Sequence, residues 1–317
     1  MAKIKLEVGR CAFPVGGCVA GVVNLVVDEP LPIRGMRVKL YGYERELHGV
    51  PPRSPFEGLR APRAGKGAVE LFNEEIVLTG REPFPSCAES LADAWVYMLG
   101  RRRYPTLQPG DYGYPFSIDL PHDLLPTYVG GRCEVRYFLT AYVDIPRGFG
   151  WQRPSACKEI NVLALPVDGK PASKTVPESA AGVGGKAALT VGVGSDSLAP
   201  GGKLAVQYRI GNPGGQSIRG IRGSIVRVES TKRRGSESKS EEEIARHFQP
   251  FEDPAAREQG GEFSLPVPTD AAPSFEGRCA AVRYELRVKA EVARDFDAEV
   301  ALDIEVAPSS LGEQAAT

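Results

Sequence analysis

No uninterrupted apolar stretch in this chain approaches the roughly 20 residues a helix needs to cross a bilayer, which argues against a membrane-spanning helix. Histidine is scarce: His48, His122 and His247 are far apart in sequence and form no metal-ligand pair. The six cysteines (Cys11, Cys18, Cys87, Cys133, Cys157, Cys279) contain no C-x-x-C pair, which removes the common zinc and thioredoxin-like signatures. A chain of 317 residues does not need disulfide staples to fold, so these are read as reduced thiols and the protein as cytoplasmic. An excess of one charge is missing too. The 39 Lys and Arg residues nearly balance 40 Asp and Glu, a formal net charge of −1. No global field then recruits nucleic acid or an anionic membrane, and any charged partner has to be met by a local patch.

Catalytic constellations are equally thin. Gly182-Val-Gly-Gly-Lys186 lacks the spacing of a phosphate loop, and it reads as linker, while Gly192-Val-Gly-Ser195 reads as a strand end. Asp119 and Asp144 are carboxylates with no sign that they approach each other, and solvated or capping roles suffice for them. The chain is therefore read as non-enzymatic, with no catalytic, cofactor-binding or metal-ligating residue.

What the sequence does contain is a repeat. Phe116 to Leu139 matches Phe263 to Leu286 without a gap: adding 147 carries Pro121 to Pro268, Gly130 to Gly277 and Val135-Arg136-Tyr137 to Val282-Arg283-Tyr284. Upstream, Gly17, Ala20 and Ile33-Arg34-Gly35 recur as Gly202, Ala205 and Ile218-Arg219-Gly220, now at an offset of 185. The first copy is therefore longer by the difference, 38 residues, between its two blocks.

Both copies read as strands. Val135, Tyr137, Leu139, Ala141, Val143 and Ile145 alternate with other residues at period two, as do Val282, Tyr284, Leu286, Val288, Ala290 and Val292, so one face is core and the other wet. Val300, Leu302, Ile304 and Val306 alternate with Glu299, Asp303 and Glu305 in a final strand. Residues 1–8 have the alternation of an edge strand and not the character of a signal peptide. Pro109-Gly110, Pro200-Gly201, Asn212-Pro213 and Gly214-Gly215 mark turns.

The fold class that follows is all-β: two tandem immunoglobulin-like antiparallel β-sandwiches, over residues 1–165 and 186–307, joined by a Gly-, Pro- and Ser-rich linker at 166–185 and followed by a flexible tail at 308–317. One short helix is expected in the first-domain insertion near residues 87–99. There Ala88, Leu91, Ala92, Trp95, Val96 and Leu99 form a helical stripe behind a Ser86-x-x-Glu89 capping box, and the stripe should lie on the first sandwich.

The run from Pro109 to Pro121 (PGDYGYPFSIDLP), then Leu125 to Gly130 (LPTYVG) and Val135-Arg136-Tyr137, resembles the hallmark of the arrestin amino-terminal domain in its α-arrestin form. Gly21 to Met36 and Leu40 to Glu44 resemble that domain's opening strands. Leu198 to Gly202, Tyr208 to Asn212, Phe263 to Pro273 and Val282 to Tyr284 resemble the carboxy-terminal domain. The resemblance runs from about residue 1 to 307 and implies two sandwiches serving as an adaptor in sorting, endocytosis or signalling. It departs from the receptor-regulating arrestins in that residues 308–317 hold no arginine for a carboxy-terminal latch, so no such autoinhibition is expected. It departs from tailed α-arrestins in lacking a P-P-x-Y motif. A short chain of this kind is similar to retromer-type sorting subunits and to bacterial sporulation-control proteins, which leaves a stress or developmental regulator as the alternative role.

Two basic clusters are the candidate contacts for an anionic or protein partner. Arg101, Arg102 and Arg103 follow the expected helix. Lys232, Arg233 and Arg234 sit in what reads as a polar loop before Glu241-Glu242-Glu243. Arginine forks suit phosphate and carboxylate groups. Charge runs in loops are ordinarily just solvated, and the first cluster also complements the dipole of a helix end. The expected partners are proteins or the cytoplasmic tails of membrane proteins, with peripheral membrane attachment left open and nucleic acid not expected.

Overall fold

The computed structural model describes residues 2–47, 68–80, 104–147, 150–164, 179–183, 187–194, 197–212, 215, 217–233, 236–292 and 298–308. Two compact units divide the chain. The first takes in Met1–Arg45, Val50–Val129 and Glu134–Leu163; the second takes in Glu46–Gly49, Gly130–Cys133 and Ala164–Thr317.

The strands of the first half are β1 (Ala2–Val8), β2 (Ala12–Pro14), β3 (Cys18–Val27), β4 (Leu31–Pro32), β5 (Gly35–Glu46), β6 (Ala68–Gly80), β7 (Thr106–Leu107), β8 (Gly110–Asp119), β9 (Tyr128–Val129), β10 (Cys133–Arg147), β11 (Gly150–Gln152) and β12 (Ser155–Leu163). One sheet runs β1-β3-β8. The larger runs β2-β12-β10-β5-β6, with β9 and β11 attached to β10, and β4 pairs with β7 in a short ribbon. Inward residues of both sheets make the core: Val19, Val23, Leu25 and Ile118 from one, Met36, Val38, Leu40, Val135, Tyr137, Leu139, Ile160 and Val162 from the other, none more than 1% exposed. Each such aliphatic burial stabilises the unit by about 1.5–3 kcal/mol before entropy is counted.

The second half holds β13 (Ser179–Val183), β14 (Ala187–Val193), β15 (Ser197–Leu198), β16 (Lys203–Gly211), β17 (Ile218–Arg233), β18 (Ser236–Pro250), β19 (Glu258–Pro266), β20 (Phe275–Glu276), β21 (Ala280–Val292) and β22 (Ala298–Val306). Its sheets run β13-β14-β16-β19 and β15-β22-β21-β17-β18, with β20 on β21. The fold is all-β, with two sandwiches in tandem.

The repeat is visible bond by bond. Gly16 donates to the Pro121 carbonyl and Gly201 to that of Pro268, each at 3.2 Å; Gly17 donates to Pro14 and Gly202 to Ala199, each at 3.0 Å. Both turns need a positive φ, 69° at Gly16 and 77° at Gly201, which glycine adopts without steric cost. Downstream, the Val162 amide donates to Thr127 Oγ1 at 2.8 Å and the Val306 amide to Ser274 Oγ at 3.0 Å. Thr127 and Ser274 are related by the same offset of 147.

Three expectations need correction. Ser179–Val183, inside the stretch read as a linker, is a strand paired antiparallel with β14. Its small residues make no apolar pattern, so composition cannot reveal a strand held by main-chain bonds. Lys232 and Arg233 end β17 and Glu241-Glu242-Glu243 lie within β18, so that region is a long hairpin and not a loop. The outward face of the first unit's larger sheet is not wet either. Tyr41, Tyr43 and Phe138 cluster there at 7%, 1% and 2% exposure, with Ala68 and Cys157 packed against them. Aromatic bodies on that face bury as readily as core residues do. Each unit also includes one short parallel pairing, β2 with β12 and β15 with β22, beside its antiparallel ladders. The helix expected near residues 87–99 lies outside the described residues.

Candidate functional site

Of the basic residues singled out from the sequence, Arg101, Arg102, Arg103 and Arg234 lie outside the described residues. Lys232 is exposed at the end of β17, its ammonium 3.7 Å from Glu276 Oε1. The Arg283 guanidinium approaches the same carboxylate at 2.9 Å. A hydrogen bond from Arg283, and secondarily the charges of Arg283 and Lys232, hold the Glu276 carboxyl below the usual carboxylate range. The charge of Lys232 is thus already partly engaged. Arg283 and Glu276, with Ser274, Asp303 and Glu305, line an open groove of about 580 Å³ where β20 and β22 both pair with β21.

The histidines and aspartates are dispersed. His122 packs over Gly16, where an added Cβ would meet its ring at 2.1 Å. His247 stacks on Phe263, centroids 5.1 Å apart. His48 lies outside the described residues. Asp119 is exposed on β8, in one sheet, while Asp144 is wholly buried on β10, in the other. Asp144 accepts from Arg153 Nε at 2.5 Å, a structural ion pair. Nearby, Arg37 and Tyr142 both donate to Glu75 at 2.7 Å. Glu134, 1% exposed, holds Arg45 at 2.5 Å, Arg136 at 3.0 Å and the Tyr43 hydroxyl at 3.0 Å. The two guanidinium contacts are close ion pairs whose angles fall short of hydrogen bonds. Among the described residues no three His, Cys, Asp or Glu side chains are grouped to hold a metal, and the five described cysteines are free.

A second groove lies on the outward face of the second unit's four-stranded sheet. Strand alternation turns Leu189, Val191, Val206, Ile210 and Phe263 inward, all at most 7% exposed. Register then places Gly192, Gln207 and Glu262 in one outward row across β14, β16 and β19, and Thr190, Arg209 and Gly260 in the next. Because Gly192 and Gly260 carry no side chain, the face dips into an open groove of about 440 Å³ between the longer polar side chains. Gly261, the inward neighbour, is constrained differently: a Cβ there would stand 2.8 Å from the Tyr208 hydroxyl.

β19 is the last strand of its sheet, so its outer backbone edge has no partner among the described strands. An open edge presents a row of N–H and C=O groups that an extended chain can pair with. The groove thus adjoins a strand edge. Arg209, Gln207, Thr190 and Glu262 offer donors and acceptors of both charges, which suits polar side chains of a peptide better than a single ion. The sequence signal for this site was the interruption of strand patterns by Gly192 and by Gly260-Gly261, since interior strand glycines mark close approach of another group.

Among the described residues no helix is long and apolar enough to cross a membrane. Comparison with curated proteins gives no match. Family profiles do match: that of the arrestin (or S-antigen) N-terminal domain over residues 3–166, and that of the arrestin (or S-antigen) C-terminal domain over residues 184–311. Covered over half its length by the first profile and over most of the remainder by the second, the chain belongs to the arrestin family.

Proposed function

We propose that the protein is a non-catalytic adaptor of the cytoplasm that holds partner proteins, or the cytoplasmic tails of membrane proteins, by taking up an extended segment along β19. The observation that carries this reading is the adjacency of an open strand edge and a polar groove on one face. Main-chain bonds to the edge supply affinity without regard to sequence, and side chains entering the groove between Arg209 and Glu262 supply selectivity. Membership of a family of adaptors supports the same conclusion.

The test is affinity capture from the native host with mass spectrometry, using the parent protein and two variants. Gly260→Ile fills the groove with a strand-compatible side chain, and Arg209→Glu inverts its charge. Loss of the same captured protein from both variants, with unchanged melting, is the expected result. Undiminished capture by both, or a catalytic turnover accounting for the interaction, would overturn the reading.

A further inference from the structure

β18 differs from the other strands of its sheet in being both long and terminal. It spans 15 residues, pairs with β17 on one side and ends the sheet order. Strands of globular proteins typically run about 5–6 residues, and long open edges are normally short, covered or broken. The strand is mostly exposed, including Phe248 at 42%.

Its charges are segregated along its length. Glu237, Glu241, Glu242 and Glu243 precede Ile244, with Lys239 among them, whereas Arg246 and His247 follow it. Three of the carboxylates are already paired: Glu242 with Arg227 at 2.5 Å, Glu241 with Arg287 at 2.6 Å and Glu237 with Lys239 at 3.6 Å. Glu243 and Arg246 make no ion pair among the described residues. Among the described residues, two opposite charges without an ion-pair partner therefore stand three residues apart on a strand edge that no described strand covers.

The ladder with β17 pairs Ile225 with Ala245 and Val226 with Glu243, which leaves Ile244 as a bulge. In a regular strand residues 243 and 246 would point to opposite faces. The bulge brings them to the same one, because Glu243 and Arg246 oppose Val226 and Ser224, which share a face of β17.

We infer that β18 pairs antiparallel with β18 of a second copy of this chain, about a two-fold axis between Ile244 and Ala245, joining two six-stranded sheets edge to edge. In that register Glu243 faces Arg246 of the second copy, Glu242 faces its His247 and Glu241 faces its Phe248. Each pair shares a face, and the charge pair forms twice. Parallel pairing sets the acidic run against itself, and an antiparallel axis between Glu242 and Glu243 sets those two carboxylates opposite each other twice. Cross-strand opposite charges stabilise and like charges oppose, so charge and bulge together select this arrangement. The groove on β19 belongs to the other sheet, and β18 meets that strand through the stacking of His247 on Phe263.

Sedimentation velocity of the full chain over a concentration series tests it. The parent should show a monomer–dimer equilibrium. Glu243→Arg sets arginine against arginine and Arg246→Glu sets glutamate against glutamate, so each alone should weaken self-association by about tenfold or more. Mixing these two variants should restore it, because both contacts between positions 243 and 246 in the mixed dimer are then Arg opposite Glu. Both positions are exposed, and unchanged melting of each variant checks that the fold is intact. A parent that stays monomeric throughout, or a dimer indifferent to both reversals, would overturn the inference. So would a mixture that fails to re-associate, and with it loss of a captured foreign protein from either variant would instead assign the edge to a peptide from another chain.

Discussion

The phenol of Tyr284 donates a 2.7 Å hydrogen bond to the carbonyl oxygen of Ala272, twelve residues upstream. Tyr137 does the same to Leu125, also at 2.7 Å and twelve residues away. The pairs are related by the repeat offset of 147, and each ties the turn before a central strand to that strand's core face. Removing one hydroxyl leaves a carbonyl without this donor, so Tyr137→Phe and Tyr284→Phe should each cost about 1–3 kcal/mol. Urea unfolding measures it; a midpoint unmoved by either change would show that these bonds do not hold the turns.

The same phenols set an alkaline limit. Burial, the largest cause in each case, raises the Tyr284 phenol to about 12 and raises those of Tyr43, Tyr137 and Tyr142 as well. The unfolded chain titrates near its ordinary value of about 10. Between those values the folded state binds more protons than the unfolded one, so stability is whole below about pH 10 and falls as pH rises through 12. Urea midpoints should therefore drop between about pH 10 and pH 12, and less steeply in Tyr284→Phe. A flat profile would contradict the assignment.

Glu134 should be the most sensitive carboxylate of the first unit. Its removal in Glu134→Ala leaves Arg45 and Arg136 without their shared partner and the Tyr43 hydroxyl without its acceptor. The two arginine side chains remain 27% and 20% exposed, so the loss should fall below that of a fully buried pair, to about 2–3 kcal/mol. Glu134→Gln, which keeps an acceptor for Tyr43, should lose less. Equal stability of Glu134→Ala and the parent would mean that water replaces the network freely.

Two glycines are required by neighbouring rings. A Cβ at Gly42 would stand 2.3 Å from the Tyr137 ring, and one at Gly223 would stand 2.3 Å from that of Phe263. Gly42→Ala and Gly223→Ala should each destabilise by about 1–3 kcal/mol through overpacking. Adding Phe263→Leu to Gly223→Ala should recover part of the loss, since the smaller side chain vacates the contact. No recovery in the double variant would place the cost in the backbone and not in the ring contact.

Much of the architecture was legible because it is written in local patterns. The alternating residues of β10, β21 and β22 predicted from period two are buried, and the two offsets of the repeat reappear as equivalent turns at Gly16 and Gly201 and equivalent hydroxyl caps at Thr127 and Ser274. Resemblance added the family, which the two matching profiles bear out. Less was legible of the groove on β19. Gly192 read only as part of a strand end and Gly260-Gly261 drew no reading, and the assembly of these glycines across three strands depends on register, which no single strand encodes.

By itself the sequence determined the class of the fold, its duplication and the inward faces of its strands, because those follow from which residues shun water at a spacing of two. Tertiary structure alone decided the rest. Tyr41, Tyr43 and Phe138 are buried on a face that alternation assigned to solvent, and Ser179–Val183 became a strand because β14 offered it main-chain partners. The bulge at Ile244 turned Glu243 and Arg246 to one side of an open edge. The physical reason is the same in each case: burial, strand addition and facing depend on what lies across from a residue, and that neighbour is remote in the chain.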